Sequence, residues 1–308
     1  MPDAPRPLAA CVAAAALVAS TACATAAVPP PLAEEATDTA AGSVVRAPLV
    51  LDGRSYTAQW YLPAGPAAGL AVLQHGFSRS CPKLLDTSRR FMDEGLMALC
   101  VNADMTGGNP PLAEALAAAL VAGLTAPDGR PVPKRLIVGG HSAGGHFASR
   151  LGWALAIQAP KRLAGAVMFD PVAADDSFTT NLLAISNKGR RPVLSVTANS
   201  GPCNAEHNAY PALRQVQADA QAAGRDGFVG AQLTQGSTHV DAEGRNTDFL
   251  GWAFCGQGQP REANSTRLRE LTATWALDMA TKTRRASHYP GGTFFDGMVD
   301  GGFAVPID

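Results

Sequence analysis

Short apolar runs recur along the chain and alternate with longer segments rich in alanine and leucine. Runs of this length with little polar alternation are typical of strands buried on both faces of a parallel sheet. Glycine, proline and polar residues at the ends of the runs mark their boundaries. The sequence therefore predicts strands at residues 70–73, 96–101, 135–139, 163–169, 193–198 and 228–233.

The segments between these strands have the length and composition of helices. A strand, a helix and the next strand then repeat several times, which indicates a mostly parallel, doubly wound α/β sheet with helices on both faces. The last predicted helix closes the domain. The predicted helices cover residues 84–94, 111–124, 142–157, 210–223 and 266–281.

Two further strands are predicted before this alternation begins. Residues 44–51 and 55–62 form an antiparallel pair around Asp52-Gly53, a dipeptide that tolerates positive φ. Residues 27–43 are rich in Pro, Ala, Glu and Thr without periodicity and predict a flexible lead-in. Because the chain shows no internal repeat, we expect residues 44–308 to form a single domain.

The first residues have the features of an export signal. Residues 8–18 form an apolar run too short to span a bilayer, and small residues at positions 22–26 suit a signal peptidase. We predict a signal peptide over residues 1–26 and a secreted or periplasmic protein. The alternative is a lipoprotein signal with Cys23 acylated, which would leave the protein lipid-anchored.

The charge balance excludes partners that need strong electrostatic attraction. The chain has 25 Lys and Arg against 26 Asp and Glu, a formal net charge of -1. No long-range field therefore favours nucleic acid or an anionic membrane surface. We expect a monomer with no nucleic acid partner, no transmembrane segment and a small neutral molecule as its partner.

Four cysteines follow the predicted leader, an even number in a chain bound for an oxidising compartment. We prefer the pairs Cys81 with Cys100 and Cys203 with Cys255, because the members of each pair lie beside strands that would be neighbours in the predicted sheet. The alternative is four buried free thiols.

The sequence Gly140-His141-Ser142-Ala143-Gly144 lies between a predicted strand and a predicted helix. A sharp strand-to-helix turn forces its central residue into strained backbone angles and leaves no room for side chains on either flank. Ser142 would then project above the sheet edge at a helix N-terminus, where developing negative charge is favoured. This pattern predicts that Ser142 is a nucleophile; an ordinary glycine-rich turn is the alternative.

The loop Gln74-His75-Gly76-Phe77 directly follows the strand at residues 70–73. A serine nucleophile of this type takes one oxyanion donor from the residue after it and one from such a loop. The predicted oxyanion hole is therefore formed by the main-chain amides of Phe77 and Ala143, and His75 is structural.

A general base is expected later in the chain. Of the six histidines, four lie in the oxyanion loop, around the elbow, or beyond the last predicted helix. His239 follows the last predicted strand and is our candidate, with His207 as the alternative. For the acid that orients it, Asp170 ends a buried strand, and Glu206 in the loop after the following strand is the alternative.

Four segments together resemble chlorophyllase-type α/β-hydrolases, a group similar to bacterial polyester hydrolases and platelet-activating-factor acetylhydrolases. The resemblance covers roughly residues 69–241 and implies the α/β-hydrolase fold. In chlorophyllases the acid follows the strand after the elbow in an Asp-Pro-Val setting, which implies Asp170. The segments are residues 140–145, 169–172, 203–207 and 238–241.

Two departures from the family patterns bear on the substrate. Ala143 stands where plant chlorophyllases commonly carry arginine, which argues against a pigment. The residue before Ser142 is histidine, whereas polyester hydrolases typically have an aromatic residue there.

The sequence thus predicts a serine esterase acting on small-molecule or polymeric esters. Phe77, His141 and Trp252 are the candidate substrate-binding residues, with core packing as the alternative for Trp252. We expect no cofactor and no metal, because the chain has neither zinc-site spacing nor a dinucleotide-binding fingerprint. Other readings are an amidase or peptidase on the same triad, or a catalytically silent binding protein. Asp175, Asp176 and Asp241 are expected to be solvated loop charges, and residues 175–188 are the candidate for a small cap over the site.

Overall fold

The computed structural model describes residues 34–308. The predicted leader, its cleavage region and Cys23 lie outside the described residues. Strands, numbered in chain order, are β1 (Glu34–Thr39), β2 (Gly42–Leu51), β3 (Arg54–Pro63), β4 (Leu70–Gln74), β5 (Met97–Asn102), β6 (Leu136–Ser142), β7 (Leu163–Pro171), β8 (Val193–Thr197), β9 (Gly230–Leu233) and β10 (Ala304–Pro306).

Helices alternate with these strands through most of the chain. In residues 34–308 no helix is both long enough and apolar enough to cross a membrane. The helices are α1 (Leu85–Asp93), α2 (Pro110–Ala122), α3 (Ala143–Gln158), α4 (Ser177–Ser186), α5 (Tyr210–Ala222), α6 (Phe249–Cys255), α7 (Glu262–Thr281) and α8 (Thr293–Asp300).

The strands form one sheet in the order β1-β2-β3-β5-β4-β6-β7-β8-β9-β10. The central strands from β5 to β9 pair in parallel. The pairs at the two sides are antiparallel. The prediction of a mostly parallel, doubly wound sheet is confirmed. Parallel strands all end at one edge, so β4, β6, β7 and β8 deliver the residues that follow them to the same side of the molecule.

Side chains of the central strands alternate between two buried layers. In β4, for example, Leu70 and Val72 pack into the layer that holds α2, α3, α4 and α5. Ala71 and Leu73 pack into the opposite layer, which holds α1, α7 and α8. Both faces of the sheet are therefore covered, which explains why these strands appear in the sequence as continuous apolar runs.

The lead-in differs from its prediction. Residues 34–39, inside the segment expected to be flexible, form β1, which pairs antiparallel with β2. Their sequence, EEATDT, has no apolar alternation. The strand adds to the edge of a sheet through main-chain hydrogen bonds, which need no particular side chains.

The C-terminal segment also differs from its prediction. Helix α7 does not close the domain, because α8 and β10 follow it. β10 pairs antiparallel with β9 and forms the far edge of the sheet. With three residues it is too short to produce a period in the sequence. Residues 175–188, considered as a cap, instead contain α4, an ordinary helix of the sheet's covering layer.

Two disulfides join loops at the sheet edge, in the predicted pairing. Cys81 bonds to Cys100 of β5, and Cys203 bonds to Cys255 at the end of α6. Their Cα atoms are 5.7 and 5.3 Å apart, respectively. The second link encloses a loop of 52 residues, for which chain entropy alone predicts a stabilisation on the order of 4 kcal/mol.

Candidate active site

Ser142 lies at the sharp turn between β6 and α3. Its backbone angles are φ 57° and ψ -126°, a combination that costs free energy for any residue with a side chain. Its carbonyl oxygen accepts a hydrogen bond from the amide of Val172, at 3.1 Å. The strained turn and this link to the end of β7 present Ser142 at the carboxyl edge of the sheet.

The glycines around Ser142 are required by close approaches of main chain. A Cβ at Gly140 would lie 2.1 Å from the carbonyl oxygen of Gly144. A Cβ at Gly144 would lie 2.3 and 2.4 Å from the carbonyl oxygens of Gln74 and His75. No side chain fits at either position, so the Gly-x-Ser-x-Gly spacing follows from the packing of the helix against the strand and the loop after β4.

Two amides near Ser142 have the properties of oxyanion donors. Ala143 is the first residue of α3, where an amide has no acceptor within the helix. Phe77 follows Gly76, whose added Cβ would lie 2.9 Å from the Ser142 Cβ. Within residues 34–308 neither the Phe77 nor the Ala143 amide donates to another protein group. Both donors therefore remain available to a ligand near Ser142.

Asp170 and His239 form a hydrogen-bonded pair. His239 Nδ1 donates to Asp170 Oδ2 at 2.6 Å, and the two residues are 3% and 4% exposed. Asp170 lies near the end of β7 with a φ of 44°, and His239 begins a short turn after β9. Because Nδ1 carries the shared proton, Nε2 is the nitrogen free to act as a base.

The Asp170 carboxylate accepts hydrogen bonds from two further donors, the Ala198 amide and the Asn204 side chain. The sequence analysis did not identify Asn204. Asp170 Oδ1 accepts from the amide of Ala198 at 3.1 Å. The Asn204 amide nitrogen lies 3.2 and 3.1 Å from the two carboxylate oxygens and 2.8 Å from the Asn199 carbonyl. Asn204 is fully buried. It therefore fixes the orientation of the carboxylate that meets His239.

Replacing Asn204 with alanine is expected to lower kcat by about 10-fold to 100-fold, because the Asp170 carboxylate would lose a donor that orients it. KM should change less than kcat. Asn208→Ala is the matched control, because within residues 34–308 the exposed Asn208 side chain bonds only the main chain of Ala173. Steady-state kinetics on a p-nitrophenyl ester would measure both variants, and equal activity in the two would contradict the positioning role.

The alternative acid and base lie apart from this pair. Glu206 is exposed and accepts a hydrogen bond from Ser200. His207 donates through Nε2 to the carbonyl of Ala198 at 2.8 Å and stacks on Tyr210 with the rings 4.3 Å apart. The geometry therefore favours Asp170 and His239 over Glu206 and His207.

His141 lies inside the protein. It is 2% exposed, and its Nε2 donates to the carbonyl oxygen of His239 at 2.7 Å. The two imidazole rings are 4.6 Å apart. This burial does not fit the predicted substrate contact, and we reassign His141 as a positioning residue that holds the main chain of His239. Burial, and then the neighbouring His239, lower the pKa of His141 to about 4.

His141 is expected to make the protein less stable as the pH falls. Its pKa is about 4 when folded against an ordinary 6.5, so between these values the unfolded chain binds a proton that the folded chain excludes. The contribution of neutral His141 to the free energy of unfolding is complete above pH 6.5 and is lost as the pH falls towards 4. His141→Gln retains a donor for the His239 carbonyl and does not titrate.

Urea unfolding of the wild type and His141→Gln at about pH 7 and about pH 4.5 would measure this effect. Relative to the variant, the wild type should lose about 2 to 3 kcal/mol between the two conditions. Asp241, whose pKa burial raises to about 6, has the opposite sign; it is present in both proteins and cancels. A stability difference independent of pH would contradict the assignment.

A buried ion pair joins the oxyanion loop to the loop of His239. The Arg79 guanidinium bonds both carboxylate oxygens of Glu243, at 2.7 and 2.5 Å, and pairs with Asp248 at 3.0 Å. Burial raises the pKa of Glu243, but the Arg79 contact outweighs it and the net pKa is lowered. The Glu243 side chain is also 3.8 Å from His141 Nδ1. Sequence reasoning missed this pair, whose members are 164 residues apart.

Asp241 is buried, contrary to the expectation of a solvated charge. It is 1% exposed and accepts hydrogen bonds from the Ser237 hydroxyl at 2.6 Å and from the Thr238 amide and hydroxyl at 2.9 and 3.1 Å. These bonds cap the short turn that begins at His239. The error arose because a carboxylate capping its own turn resembles an exposed loop charge in sequence.

Gln257 and the second disulfide hold the other side of the site. Gln257 Oε1 accepts from the His239 amide at 2.8 Å, and its Nε2 donates to the Asn199 carbonyl at 3.0 Å. The bond between Cys203 and Cys255 ties the loop that contains Asn204 to the end of α6. The segments around Asp170 and His239 are therefore connected both covalently and through Gln257.

Large apolar side chains are exposed beside the site. Phe77 in the oxyanion loop is 58% exposed, and Phe249, Leu250 and Phe254 of α6 are 66%, 73% and 87% exposed. Trp252 is half-buried and packs edge-on against Phe249, with the ring centroids 5.0 Å apart. The ion pair of Arg79 with Asp248, the residue before α6, brings the oxyanion loop to α6. We call Phe77, Phe249, Leu250, Trp252 and Phe254 the apolar rim.

Across residues 34–308, no three His, Cys, Asp or Glu side chains are grouped so as to hold a metal ion.

No protein-family model and no curated protein matches the chain. Solved structures are similar to it, among them two esterases and a dienelactone hydrolase. A thermostable esterase from Pseudomonas putida has 16% identity and a TM-score of 0.54, over 80% of this chain and 85% of that one. A dienelactone hydrolase from Anabaena variabilis has 13% identity and a TM-score of 0.51, over 76% of this chain and 97% of that one.

The third is esterase 2 of Thermogutta terrifontis, phosphoramylated by tabun, with 14% identity and a TM-score of 0.50 over 77% of this chain and 95% of that one. All three proteins are α/β-hydrolases by fold. Together with the strand order and the turn at Ser142, these similarities show that the chain has the α/β-hydrolase fold.

Proposed function

We propose that this protein is an exported serine hydrolase that cleaves carboxylic esters through Ser142, His239 and Asp170. The observation that carries the proposal is the buried 2.6 Å hydrogen bond between Asp170 and His239. This pair lies at the carboxyl edge of the sheet, where the strained turn presents Ser142.

The proposed reaction is acyl transfer in two steps. Ser142 attacks the ester carbonyl while His239 Nε2 takes its proton, and Asp170 stabilises the imidazolium that forms. The Phe77 and Ala143 amides donate to the oxyanion. The alcohol leaves with the proton from His239, and a water molecule activated by the same imidazole then releases the acid from Ser142.

The two disulfides support export, because such bonds persist in oxidising compartments. The sequence of the first 26 residues, which predicts a secretory signal, is consistent with this destination.

The apolar rim supports an ester with a hydrophobic acyl or alcohol group, from a small molecule or a polymer. Large aromatic side chains that remain exposed next to a reactive group offer area for such a group to bury. The similar structures named as esterases favour esters over amides. An amidase or peptidase would use the same residues and differ only in the leaving group.

Two measurements test the proposal. A fluorophosphonate probe should label the wild type at Ser142, which a silent binding protein would leave unreacted. A panel of p-nitrophenyl esters of increasing chain length should then be hydrolysed faster than the matching p-nitroanilides. Labelling without ester hydrolysis would reject the esterase, and no labelling would reject the serine mechanism.

A further inference from the structure

A cavity lies at the opposite edge of the sheet from Ser142. Its volume is about 1010 Å³. It is lined by residues at the starts of strands, such as Leu163 of β7 and Val193 of β8, whereas the candidate active site follows their ends. The cavity is therefore separate from the site proposed above, and the inference does not depend on that function.

The floor and the rim of this cavity differ in chemistry. Leu163, Val193, Phe228, Met279 and Tyr289 supply apolar surface. Seven Arg and Lys side chains also line the cavity, against two carboxylates, those of Asp226 and Asp278. A chain with a formal net charge of -1 thus concentrates positive charge around one apolar cavity.

The two carboxylates leave most of this positive charge uncompensated, because Arg284, the partner of Asp226, is only one of the seven cations. Asp226 pairs with Arg284 at 3.1 Å. Asp278 accepts hydrogen bonds from the Thr283 hydroxyl, the Arg285 amide and the Tyr289 hydroxyl, at 2.9, 2.8 and 3.1 Å. Both acids therefore already have partners of their own.

Two arginines of the cavity are held by main-chain carbonyls alone. Arg135 donates to the Met279 carbonyl at 2.9 Å, and its Nε is buried without a hydrogen-bond partner in the described part of the chain. Arg191 donates to the carbonyls of Ile185 and Ala184, at 2.5 and 2.7 Å. Burial lowers the pKa of both guanidinium groups. These charges lack the acidic partners that usually compensate buried arginine.

Two exposed arginines extend the same charge to the mouth of the cavity. Arg190 and Arg225 form no ion pair within residues 34–308. Arg225 lies against Gly189, the residue before Arg190: a Cβ at Gly189 would lie 3.1 Å from the Arg225 Cδ. Cations gathered in this way repel one another, and the repulsion is relieved when an anion enters.

We propose that this cavity binds an amphipathic organic anion, whose apolar body contacts the floor and whose oxyanion headgroup meets the arginines. The headgroup is a carboxylate, sulfonate or phosphate, since guanidinium groups recognise all three through charge-assisted hydrogen bonds. A neutral ligand with the same body gains only the contacts with the floor.

Fluorescence titration with a matched pair of dyes tests the proposal. Anilinonaphthalene sulfonate carries an oxyanion, and the neutral N-phenyl-naphthylamine has the same aromatic body. The wild type should bind the sulfonate about 10-fold more tightly than the neutral dye. The double variant Arg190→Gln/Arg225→Gln should raise the Kd of the sulfonate about 10-fold. The Kd of the neutral dye should be the same for this variant and the wild type.

Arg46→Gln/Arg54→Gln, which removes two exposed arginines from β2 and β3, is the control for net charge and should bind the sulfonate like the wild type. If the cavity variant unfolds, as judged by circular dichroism, Lys161→Gln/Lys282→Gln replaces it. Equal sulfonate affinity in the cavity variant and the control would overturn the proposal. Loss of sulfonate binding in Phe254→Ser, with binding retained in the cavity variant, would also overturn it, because the dye would then bind on the apolar rim.

Discussion

Replacing Ser142 with alanine should lower kcat for ester hydrolysis by at least about 1000-fold. The variant lacks the oxygen that forms the acyl-enzyme, so only the binding and electrostatic contributions of the site remain. Alanine at position 142 keeps the strain of the turn, and the fold should therefore be unchanged. Hydrolysis of p-nitrophenyl butyrate would measure the loss.

Two further variants sharpen this experiment. Ser55→Ala, at an exposed serine of β3, should retain full activity. His239→Ala should lose about as much as Ser142→Ala, and the double variant should lose little more, because residues that act as one unit are not additive. Undiminished turnover by Ser142→Ala would remove the serine mechanism.

Replacing Asp170 with asparagine should lower kcat by about 10,000-fold. Asparagine presents an amide hydrogen or a weaker acceptor to His239 Nδ1, and the imidazole then favours the tautomer whose Nε2 already carries a proton. The hydrogen bonds that Ala198 and Asn204 donate to the side-chain oxygen Oδ1 of residue 170 should keep that side chain in place. Steady-state kinetics with the thermal midpoint as a control for folding would measure the effect.

Glu206→Gln is the matched variant, since it neutralises the other carboxylate considered for this role. Glu206 is exposed and bonded to Ser200, so we expect its activity to stay within about 3-fold of the wild type. If Glu206→Gln alone abolished activity, the assignment of Asp170 would be wrong.

The parts of the fold that sequence predicted are those with local signals. Strands such as β4 and β7 are buried on both faces and therefore apolar except near their carboxyl ends. The glycines around Ser142 are demanded by close main-chain contacts, and they leave a short fixed spacing in the sequence. Strand β1 was missed because its pairing uses main-chain groups of a sheet edge, which leave no pattern in EEATDT.

The residues that complete the candidate site were not predictable in the same way. Asn204 acts on Asp170 across 34 residues and Arg79 on Glu243 across 164. In the sequence these residues resemble any other polar residue of a loop, because their partners come near only when the fold brings the loops together. The ends of strands could be located from sequence, and so Asp170 and His239 could be proposed, but the hydrogen bonds that orient them depend on the assembled sheet edge.

The link between Cys203 and Cys255 gives the timing of maturation a structural basis. One cysteine immediately precedes Asn204, which orients the Asp170 carboxylate, and the other ends the helix that carries most of the apolar rim. A newly made chain in a reducing cytosol lacks this tether, and its acid would be aligned by weak contacts alone. In the proposed exported enzyme, an oxidising compartment would form this tether after the chain has left the cytosol.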